Sequence, residues 1–238
     1  MFTLQIYNFF FNCQSFYFVF RPTFRNFTPT FTMRYKIIDN LSDYAPTDQL
    51  LCRLPSWRRE QAQKFRHEQG QRECALSYLL LSEMTGFQPV FGTAEHGKPF
   101  MLPGTTDGQD TPSAGERFFN ISHCKAAIGC IVASDEVGID VECTGRYKER
   151  LAQYCMSDDE LQQIKETADP DALFTMLWTR KEALLKLTGE GITDDMKTCL
   201  SSARAKGVRI DSGVNREKGY AWSVAYREKN INQEVNDI

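Results

Sequence analysis

The chain lacks a basic excess. Its 28 Lys and Arg against 31 Asp and Glu leave a net charge of −3, the wrong sign for affinity built on phosphate-backbone contacts, so nucleic acid is not an expected partner. Histidine is scarce, at three residues. The eight cysteines, at 13, 52, 74, 124, 130, 143, 155 and 199, form no C-x-x-C pair and no Cys/His cluster, which argues against a structural zinc. A chain of 238 residues can bury a core without disulfide staples, so free thiols in a reducing compartment are expected. Apolar and charged residues, at 42% and 25%, stand close to the globular average, which excludes disordered and fibrous architectures.

The first 32 residues are charge-poor and follow other statistics. Ten of the 17 phenylalanines fall in residues 1–31, and the first positive charge is Arg21. A secretory signal would carry its basic residues before the apolar core, and Gln5, Asn8, Asn12, Gln14 and Ser15 interrupt the run that a membrane span needs. Residues 1–32 are therefore expected to be a non-core extension, with a targeting segment or anchor as the alternative. Met33, which opens the strand-like Met33-Arg34-Tyr35-Lys36-Ile37-Ile38, is the expected functional start.

Beyond it the pattern predicts one or two helices over residues 56–84, with Leu76, Leu79, Leu80 and Met84 inward. Gly97-Lys98-Pro99 marks a turn, and residues 102–117 read as a long loop. Strands are predicted over 118–122, 126–133 and 137–142. Ser157-Asp158-Asp159-Glu160 is a capping box that opens a helix to about Thr167, and Asp169-Pro170 begins a second that stops near Gly189. Strands over 208–210 and 220–226 precede a polar tail. Helix, strands, helices, strands, with no alternating βαβ series, is the signature of an α+β fold and is compatible with two similar halves.

Three pieces carry chemistry. Asp140 and Glu142 are two apart in a strand, so both carboxylates leave the same face, and two acids held so close suit a hard divalent cation such as Mg²⁺. Glu182 and Lys186, four apart, share one helix face with Trp178 on the turn before. His123 ends the strand Phe119-Asn120-Ile121-Ser122, where side chains reach ligands. Each has an ordinary reading in isolation: acids facing water, a surface ion pair, a structural histidine.

Taken in order, Phe119-Asn120-Ile121-Ser122-His123, Gly138-Ile139-Asp140-Val141-Glu142 and Trp178-Thr179-Arg180-Lys181-Glu182-Ala183-Leu184-Leu185-Lys186, with Gly97-Lys98-Pro99 upstream, resemble the 4′-phosphopantetheinyl transferase superfamily in its single-chain, two-lobed type. The resemblance spans roughly Met33 to Tyr226. It implies two similar α/β lobes related by a pseudo-twofold axis, at 33–136 and 137–228, with the active site at their interface and residues 229–238 as a tail. It implies Mg²⁺-dependent transfer of the phosphopantetheine arm of coenzyme A to a serine of an apo acyl or peptidyl carrier protein, releasing 3′,5′-ADP. Asp140, Glu142 and Glu182 would ligate the metal, and Glu182, or a water it holds, would take the serine proton. Lys186 and His123 would meet phosphate oxygens. Arg58, Arg72, Lys98, Pro99, Ser122 and Asp140 would join them around the coenzyme. A cytoplasmic monomer without stable membrane association is the matching expectation.

The chain departs from that pattern at Gln61, where relatives often carry a second cation, at Cys124, where a small polar residue is frequent, and in its long 102–117 loop. A Mg²⁺-dependent phosphodiester hydrolase could use the same three acids, though it would want a basic groove with stacking aromatics. A binding module that has lost catalysis is the third reading.

Overall fold

A computed structural model of the chain describes residues 33–93, 98–102, 118–191, 195–202 and 205–227. The N-terminal extension, Gly97, most of the long loop and the tail lie outside these residues. Eight strands and six α-helices are seen among them, a mixed helix-and-sheet architecture of the α+β class.

The first block opens with β1 (Met33–Asp39), followed by α1 (Thr47–Cys52), α2 (Ser56–Gln63) and α3 (Glu68–Thr85). It closes with β2 (Phe91–Thr93), β3 (Pro99–Met101), β4 (Phe118–His123) and β5 (Ala127–Ala133). The second block holds β6 (Val137–Cys143), α4 (Glu149–Cys155), α5 (Asp158–Glu166), α6 (Pro170–Thr188), β7 (Val208–Asn215) and β8 (Tyr220–Arg227). Two antiparallel three-stranded sheets result, in the orders β1-β5-β4 and β6-β8-β7. In each, the block's first strand pairs with its last.

The two-residue period of β5 explains why it is buried along its whole length. Ile128, Cys130 and Val132 enter the core formed with Leu76, Tyr78, Leu80 and Leu81 of α3. Ala127, Ile131 and Ala133 turn the other way and join Val137, Ile139, Val141, Tyr220 and Val224 of the second sheet. Each block thus shields one face of its sheet with its own helices and presents the other face to its neighbour. Across this junction the Tyr35 and Trp222 rings sit 5.5 Å apart, and Tyr220 Oη donates to Asp39 Oδ2 at 3.1 Å.

The capping box is formed as read: Glu160 N donates to Ser157 Oγ and Ser157 N to Glu160 Oε2. Asp169 caps α6, and Gly189, with φ 77°, ends it in the left-handed region. Helix α1, the hairpin β2–β3 and α4 are additions to the sequence reading. Both helices are under eight residues and neither has a side-chain N-cap, so the start signal is missing from the sequence. Strand β7 runs on to Asn215 through the polar stretch Asp211-Ser212-Gly213 because its ladder to β8 holds it extended.

One glycine sets how closely α6 approaches β6. A Cβ at Gly138 would lie 2.0 Å from the Ala183 carbonyl oxygen and 2.7 Å from Leu187 N, both backbone atoms that cannot swing aside. Gly138→Ala is expected to lower stability by about 3 kcal/mol, a fall in melting temperature of roughly 6–12 °C in a chain of this size. A thermal melt unchanged within 1 °C would mean that the helix can retreat freely.

Candidate functional site

Strand β6 is the edge of its sheet and β4 the edge of the other. They meet through side chains instead of a backbone ladder: Ile139 N donates to Asn120 Oδ1 at 3.1 Å and Val141 N to Ser122 Oγ at 3.2 Å. Asn120 and Ser122 are two apart and so face the same way, which gives the Asn-x-Ser spacing its structural meaning. The remaining capacity of the Ser122 hydroxyl is spent on the acids. It donates to Asp140 Oδ1 at 2.9 Å and accepts from Lys186 Nζ at 3.0 Å.

Even-numbered residues of β6 face α6. Gly138 lies under the helix backbone, and Asp140 Oδ1 meets Lys186 Nζ at 2.6 Å. Glu142 projects from the same face, where its Oε2 accepts from Arg146 Nη1 at 2.7 Å. Four residues before Lys186, Glu182 comes close enough to both acids to feel their charge. Its pKa is pushed up from 4.5 to about 6, first by burial, then by Asp140 and more weakly by Glu142, with Lys186 acting in the opposite direction. The strand-face and helix-face expectations for these four residues thus meet at one place.

Two buried carboxylate oxygens there, Asp140 Oδ2 and Glu182 Oε1, have no hydrogen-bond partner. A buried charged oxygen without a partner is costly, and such atoms call for a cation or a donor. Hard carboxylate oxygens of this kind fit a magnesium-like ion. As the side chains stand, Lys186 and Arg146 occupy the other oxygens of Asp140 and Glu142, and no group of three or more His, Cys, Asp or Glu among the described residues is gathered tightly enough to hold a metal.

Beside the acids opens a groove of about 500 Å³ lined by Glu73, His123, Cys124 and Lys125 from the first block and Glu142 to Arg146 from the second. His123 Nδ1 lies 3.5 Å from Glu73 Oε2. The Cys124 thiol is pushed up to about 12 by burial and by a hydrogen bond to Cys143, so it is protonated and a poor nucleophile at neutral pH. The seven cysteines of the described residues are all free.

Other residues expected around a coenzyme are engaged elsewhere. Arg72 donates to three backbone carbonyls, those of Leu41, Tyr44 and Ala45, through all three of its nitrogens, which pins the turn before α1 to α3. Lys98 Nζ donates to the Leu187 carbonyl at 2.7 Å and lies 3.9 Å from Glu136, capping the end of α6. Pro99 opens β3 opposite Thr93. Arg58 stacks over the Phe91 and Tyr78 rings and donates to Gln61 at 2.9 Å. Its buried Nε has no partner.

The sequence reading passed over two supports of the site. Lys181, next to Glu182, is wholly buried, and its Nζ donates to Glu160 Oε2 and to the Met196 carbonyl, each at 2.7 Å. Thr179 bonds Ser223 at 2.8 Å, tying α6 to β8. A lysine on the apolar side of a helical stripe was the available signal for the first. Nothing local announced the second.

Residues 136–234 match the profile of the 4′-phosphopantetheinyl transferase superfamily. Over 155 residues the chain is 26% identical to a 4′-phosphopantetheinyl transferase of Bacillus subtilis, a match covering 61% of this chain and 65% of the relative. It is 28% identical to the 4′-phosphopantetheinyl transferase psf-1 of Bacillus pumilus over 68% of this chain and 70% of the relative. It is 30% identical to the L-aminoadipate-semialdehyde dehydrogenase-phosphopantetheinyl transferase of Saccharomyces cerevisiae over 66% of this chain and 61% of the relative. The chain spans just under two thirds of the length of the first of these relatives.

The raised pKa of Glu182 has a thermodynamic sign. A carboxyl that holds its proton more tightly folded than unfolded adds no cost below 4.5, and its ionisation weakens the fold progressively as pH rises through 6. In metal-free protein Glu182→Gln should therefore melt higher than wild type at pH 7.5, with a smaller gain at pH 5. A gain independent of pH would show that the Glu182 charge is not its source.

Proposed function

We propose that this protein transfers the 4′-phosphopantetheine moiety of coenzyme A to a serine of an apo acyl or peptidyl carrier protein, giving the holo-carrier and 3′,5′-ADP, with Mg²⁺. The observation that carries the reading is the meeting of Asp140, Glu142, Glu182 and Lys186 at the junction of two like-ordered sheets, inside the stretch that matches the superfamily. The shared strand order supports two lobes related by a pseudo-twofold axis, at 33–136 and 137–228, with the site between them. Among the described residues no helix is long and apolar enough to cross a membrane. The family resemblance adds the expectation of a cytoplasmic monomer without stable membrane association.

Asp140, Glu142 and Glu182 would hold the ion, consistent with the partnerless oxygens of the first and last. When bound, it would supply Lewis-acid stabilisation of charge on the diphosphate. Lys186, already seated at Asp140, would neutralise phosphate charge from the same side, and Ser122 would fix the orientation of both. Glu182, half-buried beside Asp140 and Lys186, is suited to take the serine proton directly or through a water. His123, at the rim of the groove, would meet phosphate oxygens, and Arg58 would bind the far end of the coenzyme. Lys98 and Pro99 would act only after Lys98 exchanges the Leu187 carbonyl for a phosphate. Arg72, committed to three carbonyls, is better read as a structural group of the first lobe than as a coenzyme ligand.

Incubation with coenzyme A, Mg²⁺ and an apo carrier, followed by intact-mass measurement, should add one phosphopantetheine arm to the carrier. Glu142→Gln keeps the side chain's shape and removes one charge. Activity should fall at least ~10²-fold, the scale of one lost electrostatic contact to the transition state, with partial recovery at high Mg²⁺. Identical rate curves against Mg²⁺ for wild type and variant would remove Glu142 from the ligand set.

Arg72→Ala separates the two readings of that residue. A lower melting temperature with an unchanged KM for coenzyme A fits its three carbonyl bonds, whereas a raised KM with an unchanged melt would return it to the coenzyme.

A further inference from the structure

The groove beside Glu142 holds a guanidinium to which none of the roles above gives a task. Arg146 lines the groove together with His123 and Lys125 of the first block and the acids Glu73 and Glu142. Its side chain is 64% exposed while that of its partner Glu142 is 25% exposed, so the pair sits at a mouth rather than in a core. The backbone beneath is fixed. Asp171 at the start of α6 accepts from Gly145 N with one carboxylate oxygen and from Tyr147 N at 2.9 Å with the other. Gly145 takes φ 88°, a turn open to glycine at no steric cost. The side chain between these anchored amides is the movable part.

We propose that Arg146 grips the diphosphate of coenzyme A in this groove, resting on Glu142 until a divalent ion takes that carboxylate; the inference builds on the transferase reading. A divalent ion held by the acids would compete with Arg146 for the Glu142 carboxylate, and a weakened pair would leave the guanidinium free to turn toward the groove. There its planar fork suits two oxygens of a phosphate group. Arg146 and Lys186 thus neutralise the acids while metal is absent and face the substrate's phosphates once it is present. The lining residues support this placement: Lys125 and His123 from the first block and Arg146 from the second let both blocks offer donors to a phosphorylated chain.

The test is calorimetric and uses the whole protein as wild type, Arg146→Gln, Arg146→Lys and Lys148→Gln. Lys148 is exposed, does not line the groove and undergoes the same charge change, which controls for general electrostatics. With Mg²⁺ present, Arg146→Gln should weaken coenzyme A binding about tenfold, Arg146→Lys less, and Lys148→Gln less than twofold. Dephospho-coenzyme A keeps the diphosphate and lacks the 3′-phosphate, and should show the same tenfold ratio. With Mn²⁺ alone, Arg146→Gln should bind the ion more tightly than wild type, because a competing cation is gone.

Equal coenzyme affinity in wild type and Arg146→Gln would overturn the inference and leave the transferase reading intact. A ratio that vanishes with dephospho-coenzyme A would overturn the assignment to the diphosphate. An effect of Lys148→Gln as large as that of Arg146→Gln would reduce it to bulk charge. No coenzyme A binding by wild type would overturn the transferase reading, and the inference with it.

Discussion

The seam between β4 and β6 is the constraint on which the rest of the molecule depends. Two edge strands with unpaired backbone N–H groups would ordinarily need a ladder or water, and an exposed edge invites aggregation. Here Asn120 and Ser122 supply the acceptors for Ile139 and Val141. The two sheets are stitched by side chains whose other atoms remain free for chemistry. Ser122 uses that freedom by joining Asp140 and Lys186, so the contact that unites the two sheets also begins the candidate site.

On that seam rests a deliberate electrostatic conflict. Asp140, Glu142 and Glu182 are held together by β6 and by α6, whose register is fixed by Gly138 beneath it and by the buried Lys181–Glu160 pair on its far side. The fold therefore enforces a proximity that the carboxylates oppose, as the upward shift of Glu182 records. Lys186 relieves part of the repulsion. The partnerless oxygens of Asp140 and Glu182 are what remains of the conflict.

The basic residues show how one side-chain type divides between fold and function. The family resemblance placed Arg58, Arg72 and Lys98 of the first block around a coenzyme. The structure sends Arg72 to backbone carbonyls and Arg59 to the carbonyls of Leu51, Cys52 and Leu54. A guanidinium has five donors and no sequence signal says who will accept them. Arg146, absent from every motif, stands in the groove because Asp171 holds the turn that carries it.

By itself the sequence determined the strand alternation of β5 and β6, the two capped helices α5 and α6, and the pairing of Asp140 with Glu142 and of Glu182 with Lys186 on single faces. All are local, set by periods of 2 and 3.6 residues and by caps lying within three residues of the helix they start. Tertiary structure alone decided that those two faces meet, that Asn120 and Ser122 close a seam, that Lys181 is buried and that Arg72 and Lys98 are engaged with carbonyls. Those partners lie from 15 to 89 residues apart along the chain. No local periodicity reports an acceptor at that distance; it is supplied only when the two sheets pack and bring it there.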